Sequence, residues 1–343
     1  MRFFNTSGPC IPEEHYTLMR EALVMQGQAL VDNGRFFTIF APRQSGKTTY
    51  FQLLFRRLAQ QGYVPVWVSF EGMKSADSVE FYTLFGHELQ RELKRQLPLV
   101  EESIRTPIQF QSFLEGLRGQ TDRLVLVIDE FENAPDAVLS DLLHTLRKIY
   151  HRRQCYALHS LLLVGVSSLA ELIVSSASPF NIVDQLQIPY FTFGEVQALI
   201  EQHVNETGQP FDAAVVREIY ANTQGQPGLV NGLCQHLVDV VVTDRSQPVT
   251  MQAFYATLKH FLTERFDKNI LNVVQKARMK QDFMLQLLFD DTPIPFTVND
   301  PDIAWLYANG VVDNVDGYVQ MPVPLYSKAL INAFRRLHHP HRF

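Results

Sequence analysis

The stretch Ala41-Pro42-Arg43-Gln44-Ser45-Gly46-Lys47-Thr48-Thr49 brings together residue types suited to phosphate chemistry. Lysine supplies a cation, a threonine hydroxyl can ligate Mg2+, and glycine lets the backbone approach an anion closely. The spacing follows G-x-x-x-x-G-K-[ST] with one departure, Ala41 where the first glycine usually stands. That position mainly turns the chain out of a strand, so alanine serves there. In this reading, backbone N–H groups between Ala41 and Thr49 converge with a helix N-terminus on the phosphates of ATP. Lys47 reaches the β- and γ-phosphates and Thr48 holds Mg2+. The competing reading is a capped helix with a surface lysine.

A hydrolase also needs a carboxylate for the metal and a group that orients water. Asp129 and Glu130 follow five apolar residues, Leu124 to Ile128, 82 residues beyond Lys47 (129 − 47). That gap matches the interval from first to third strand in P-loop ATPases. Ligands of open α/β sheets bind at the carboxyl ends of strands. Asp129 is therefore the candidate Mg2+ residue and Glu130 the candidate for polarising water; the competing reading is an acidic turn. A further apolar run, "LLLVGV", leads into Ser167-Ser168, where a polar residue can meet the γ-phosphate or cap a helix.

These residues need a scaffold, and the chain supplies its pattern. Short apolar runs ("FFTIF", "VPVWVSF", "LVLVI", "LLLVGV") alternate with helical periodicity after Lys47, over Val79–Gln96, near Phe110–Leu117 and near Leu139–Tyr150. That alternation predicts an α/β fold, a parallel sheet with helices on both faces. A proline-containing entry segment and a helix ended by Gly34 occupy residues 1–34, and the core spans 35–190. Beyond Pro189 the pattern turns helical to about Phe266, opening on a capping box at Thr192 and Glu195. Residues 267–343 mix helices with a hairpin signal at Asp316-Gly317.

Bulk properties narrow the classes. With 46% hydrophobic and 19% charged residues among 343, the chain can bury a sizeable core in two or three domains. A net charge of −6 does not advertise nucleic acid. Cys10, Cys155 and Cys234 are too few and scattered for a disulfide framework or cysteine-rich zinc site, and they suit a reducing compartment. No apolar run approaches the ~20 residues of a membrane span, and the first residues lack a signal-peptide core. A soluble, cytoplasmic protein without membrane contact is the expectation. The ending "RRLHHPHRF" reads as a solvated tail.

"APRQSGKTT", "VIDEFE", "GVSSLAELI", "SPFNI", "TQGQPGLVNGL" and "YANGVVDN-DGYVQMPVPLY" together resemble bacterial AAA-like ATP-binding proteins, related to the STAND and origin-recognition ATPases. The resemblance runs over nearly the whole chain. It implies a P-loop NTPase core, a helical lid (191–266) and a winged-helix-like C-terminal domain (267–343). It also implies a sensor role for Ser168, packing of Pro227 in Gly225-Gln226-Pro227 near adenine, and an adenine-pocket position for His15 and Tyr16. An ordinary packed aromatic describes Tyr16 equally well. Ser178-Pro179-Phe180-Asn181 stands where hexameric AAA motors place an arginine finger, yet Gln154 to Val216 contains no Arg or Lys. Arg147, Arg152 and Arg153 are the candidates for a relocated finger, and no sensor-2 arginine lies near Pro227.

Winged helices often read DNA, but Gln281 to Ser327 contains no Lys or Arg and seven aspartates: 282, 290, 291, 300, 302, 313 and 316. Phosphate contacts need cations, so this region is expected to pack on the ATPase or bind protein. Lys328, Arg335, Arg336 and Arg342 read as a solvated helix face. The leading expectation is an ATP-dependent conformational switch that hydrolyses ATP slowly, with a protein partner or self-association through lid and C-terminal domain. The alternative is a DNA-associated ATPase regulating recombination, transposition or defence. A small-molecule kinase ranks last, because no arginine-rich lid follows Gln154.

Overall fold

The computed structural model describes residues 1–40, 45–98, 102–165, 184–264 and 267–338. Contacts divide the chain into two units. One comprises residues 20–41 and 50–188; the other comprises 1–19, 42–49 and 189–343.

The first unit is built on five parallel strands: β1 (Phe36–Phe40), β2 (Val64–Ser69), β3 (Leu124–Asp129), β4 (Leu158–Gly165) and β5 (Asp184–Gln187), in the order β2-β3-β4-β1-β5. Strand residues alternate between faces. Thus Leu124, Leu126 and Ile128 of β3 enter one core, and Val125 and Val127 enter the other. On the first face lie α3 (Ser78–Leu93), α4 (Pro107–Leu117) and α5 (Asp136–His151), through Phe81, Phe110, Leu142 and their neighbours. On the second lie α1 (Glu21–Asp32) and α2 (Lys47–Gln60), through Val24, Val31, Leu54 and Leu58. Both faces are covered, which is why β1 to β4 read as continuous apolar runs. β5 does not. Among the described residues it is an edge strand paired with β1 alone, it buries Leu186 alone, and its sequence, Asp-Gln-Leu-Gln, carries no strand signal.

The second unit is helical. It contains α6 (Phe193–Thr207), α7 (Ala213–Thr223), α8 (Pro227–His236), α9 (Met251–Lys259), α10 (Lys268–Met279), α11 (Gln281–Phe289), α12 (Pro301–Ala308) and α13 (Pro324–His338). Helix α6 opens with the expected capping box: Thr192 Oγ1 accepts the Glu195 N–H, and the Glu195 carboxylate accepts the Thr192 N–H. Two π-helical turns, Leu237–Val241 and His260–Glu264, continue α8 and α9. Between α12 and α13, β6 (Asp313–Val315) and β7 (Tyr318–Gln320) form a hairpin. Its turn residues Asp316 and Gly317 have φ of 53° and 85°, the left-handed pair that a two-residue hairpin requires. One apolar core runs from Val196 and Leu199 through Leu229, Phe254 and Ile270 to Leu330 and Phe334, and it includes Phe4 and Tyr16 from the entry segment.

Candidate nucleotide-binding site

The phosphate-loop motif falls where the pattern predicts, after β1 and at the start of α2. Ala41, Pro42, Arg43 and Gln44 lie outside the described residues. Ser45 is fully buried, and its Oγ has no hydrogen-bond partner among the described residues. Gly46 has φ of 87°, a conformation that costs an L side chain about 1–2 kcal/mol. Lys47, Thr48 and Thr49 form the first turn of the helix, the end that carries the positive pole of its dipole. Thr49 Oγ1 accepts the Cys10 N–H at 3.0 Å, tying the entry segment to the loop.

Pro227 stands beside this turn: a Cβ built on Gly46 would lie 3.8 Å from Pro227 Cγ. The Gly225-Gln226-Pro227 motif places it there. Gly225 has φ of 74°, and a Cβ at that position would meet Phe191 O at 1.8 Å. Gln226 caps α8, its side chain accepting the Leu229 N–H, and Pro227 fills the first helical position, where a missing N–H costs nothing.

The acidic pair lies at the carboxyl edge of the sheet. Ser69 of β2 is registered beside Asp129, the last residue of β3, and Phe70 N–H donates to Asp129 O at 3.0 Å. Asp129 Oδ1 accepts the Glu130 N–H at 2.9 Å. Glu130 adopts φ of 51° and starts a 3-10 turn over Phe131–Asn133. Left-handed backbone in a glutamate is strained, and such strain concentrates at functional positions. The turn lets Asn133 Nδ2 donate to Glu130 Oε2 at 3.0 Å. Asn133 is a functional candidate that motif reading misses, since the turn and not the spacing creates its bond. Buried Phe131 anchors the turn on Phe70, ring centroids 5.9 Å apart.

Other expected residues fall elsewhere. Tyr16 is 1% exposed. Its ring meets Phe4 and His203, and its hydroxyl pairs with His203 Nδ1 at 3.2 Å. Burial, reinforced by Glu206, pushes the phenol up to about 12. The packed-aromatic description fits this position. His15 Nδ1 accepts the Ile11 N–H at 2.8 Å, and its ring is edge-on to Phe3. Arg147 is near the end of α5, and Arg152 and Arg153 follow it, before the amino end of β4. Arg153 Nη1 donates to Gly34 O at 3.2 Å. From Leu124 to Asp129 the strand β3 separates that edge from the acidic pair by about 17 Å at strand rise, so Arg152 and Arg153, beyond its amino end, cannot serve the acidic pair of their own chain. Ser167, Ser168 and Ser178–Asn181 lie outside the described residues.

A five-stranded parallel sheet flanked by helices, with its lysine-bearing turn after β1 and its acidic pair after β3, defines an α/β fold of the P-loop NTPase class. A model of the AAA-like domain family matches residues 15–331, and the chain belongs to that family. Among solved structures it is similar to the Walker-type ATPase paby2304 of Pyrococcus abyssi, with a TM-score of 0.66 at 13% identity over 95% of this chain and 99% of the other. It is also similar to the Aeropyrum pernix ORC2 protein, solved as ADPNP–ADP complexes (TM-score 0.54, 12% identity, 93% of each chain). Cdc6p from Pyrobaculum aerophilum is a third (TM-score 0.52, 12% identity, 94% and 95% covered). No curated protein matches in sequence. Among the described residues, no helix is long and apolar enough to cross a membrane.

Proposed function

We propose that this chain binds ATP with Mg2+ and hydrolyses it slowly, using the nucleotide as a conformational switch. The buried, unpartnered hydroxyl of Ser45 carries the reading. A polar atom sealed from water without a partner costs about 1–3 kcal/mol; Ser45 Oγ is one such atom among the described residues, and a ligand oxygen that reached it would remove the cost. Left-handed Gly46 and the positive end of α2 make the same turn a cradle for an anion.

Lys47 faces the β- and γ-phosphates in this scheme, and Thr48 and Asp129 are the ligands for Mg2+, which when bound neutralises phosphate charge. Glu130 orients water and takes its proton. Asn133 holds one carboxylate oxygen, fixing the direction of the other. Turnover is slow because Gln154 to Val216 offers no cation for the transition state, and a finger is worth ~10³–10⁵ in rate. A switch requires that ATP and ADP favour different arrangements of the chain.

Residues 191–266 act as a lid and 267–343 as a winged-helix-like module for a protein partner or a second copy. The charge pattern supports protein over DNA. Lys280, at the start of this aspartate-rich region, pairs with Asp302 at 2.7 Å, and Lys328 Nζ donates to Asn222 Oδ1. Phosphate release by wild type and Glu130→Gln tests the hydrolytic role. The amide should retain ATP and slow turnover at least tenfold; an unchanged rate places the base elsewhere.

A further inference from the structure

We infer that Asn231 is a nucleotide-binding residue whose side-chain oxygen accepts a hydrogen bond from a ribose hydroxyl. The inference rests on the nucleotide reading above and assigns a residue that no motif marks. Residues four apart share a helix face, so Pro227, Asn231 and Gln235 form one stripe along α8. Both ends of the stripe are located. Pro227 lies beside Gly46 of the phosphate turn, and Gln235 Oε1 accepts the Thr6 hydroxyl of the entry segment at 3.2 Å. The stripe thus faces the phosphate turn at one end and residues near Thr6 at the other. Neighbouring faces are occupied differently: Leu229 and Leu233 enter the apolar core, and Gly232 abuts Phe261 and Asp267.

Asn231 is 5% exposed. Its Nδ2 donates to Pro227 O at 2.8 Å, drawing the amide back toward the first turn of α8 and Gly46. Its Oδ1 is buried without a partner. An acceptor left open in this way selects a donor. Phosphate oxygens at neutral pH offer none, and the chemical groups that follow the phosphates along a nucleotide are the ribose hydroxyls. The helical offset agrees: four residues at 1.5 Å rise put Asn231 about 6 Å along α8 from the proline that stands beside the phosphate turn, the reach of a ribose and short of the far edge of the base.

Calorimetric titration with Mg2+ and either ATP or 2′,3′-dideoxy-ATP tests this. Wild type should prefer ATP roughly tenfold, the worth of one well-made hydrogen bond. Asn231→Leu should bind ATP only as well as wild type binds the dideoxy analogue, and should bind that analogue normally, which also reports an intact fold. If Asn231→Leu loses the analogue too, Asn231→Asp decides: it keeps an acceptor, so retained ribose discrimination supports the inference and its loss overturns it. A preference for ATP that survives in Asn231→Leu overturns it, as does a variant in which only the ratio of ATP to GTP affinity changes. Wild type binding both analogues equally sinks the ribose contact alone, whereas wild type binding neither sinks the nucleotide reading.

Discussion

Replacing Gly225 by alanine probes the device that sets Pro227 against the phosphate turn. The backbone there has φ of 74°, and the added Cβ would stand 1.8 Å from Phe191 O, 2.7 Å from its carbonyl carbon and 3.0 Å from its nitrogen. All three are backbone atoms, so no side chain can swing aside. The left-handed conformation costs about 1–2 kcal/mol. Moving Phe191 away also breaks its 2.9 Å N–H bond to Gly225 O, worth about 1 kcal/mol. A destabilisation of about 2–3 kcal/mol follows. For a cooperative unit of this size each kcal/mol lowers Tm by roughly 2–4 °C, so scanning calorimetry should show a fall of roughly 4–12 °C. Displacing Pro227 should also weaken ATP binding, and Gly225→Ala should show both effects together. A Tm within 1 °C of wild type, or full ATP affinity in the destabilised variant, would refute the reasoning.

Duplex DNA in a fluorescence anisotropy titration at ~0.15 M salt without nucleotide should give little signal, because Gln281 to Ser327 carries no cation; submicromolar binding would reverse the preference for a protein partner. Acidification should destabilise the helical unit. Burial holds His203 and His236 below the ordinary value of 6.5, with His260 adding to the effect at His236 and Glu264 opposing it. The unfolded chain therefore binds more protons, so stability is whole above about 6.5 and falls as pH drops toward the folded values. Urea midpoints between pH 7.5 and 5.5 should decline, and His236→Gln should flatten the slope; an identical slope in that variant would contradict this.

How much was legible depended on where the cause of each feature lies. β1 to β4 are covered on both faces, so burial wrote itself into their composition; β5 pairs on one side and buries Leu186 alone, leaving no pattern to read. The capping box at Thr192 and the Asp316-Gly317 turn are local chemistry and were plain. Asp129 and Glu130 stood out as the acidic end of an apolar run, but the left-handed torsion of Glu130 and its bond from Asn133 arise from a turn that residue spacing does not encode. Long-range packing was the least legible. Tyr16 meets His203 across 187 residues, so an aromatic predicted to face adenine stands inside a helical core. Likewise, Asn231 acquires meaning only once α8 has a face and Pro227 a neighbour.

The central claim is that the turn from Ser45 to Thr49 holds ATP, and calorimetric titration of wild type and Lys47→Ala with ATP and Mg2+ tests it most directly. Wild type should bind with one-site stoichiometry, and Lys47→Ala should lose binding because the cation facing the β- and γ-phosphates is gone, while its thermal unfolding stays within a few degrees of wild type. Equal affinity in the two proteins, or no heat with either, would contradict the account.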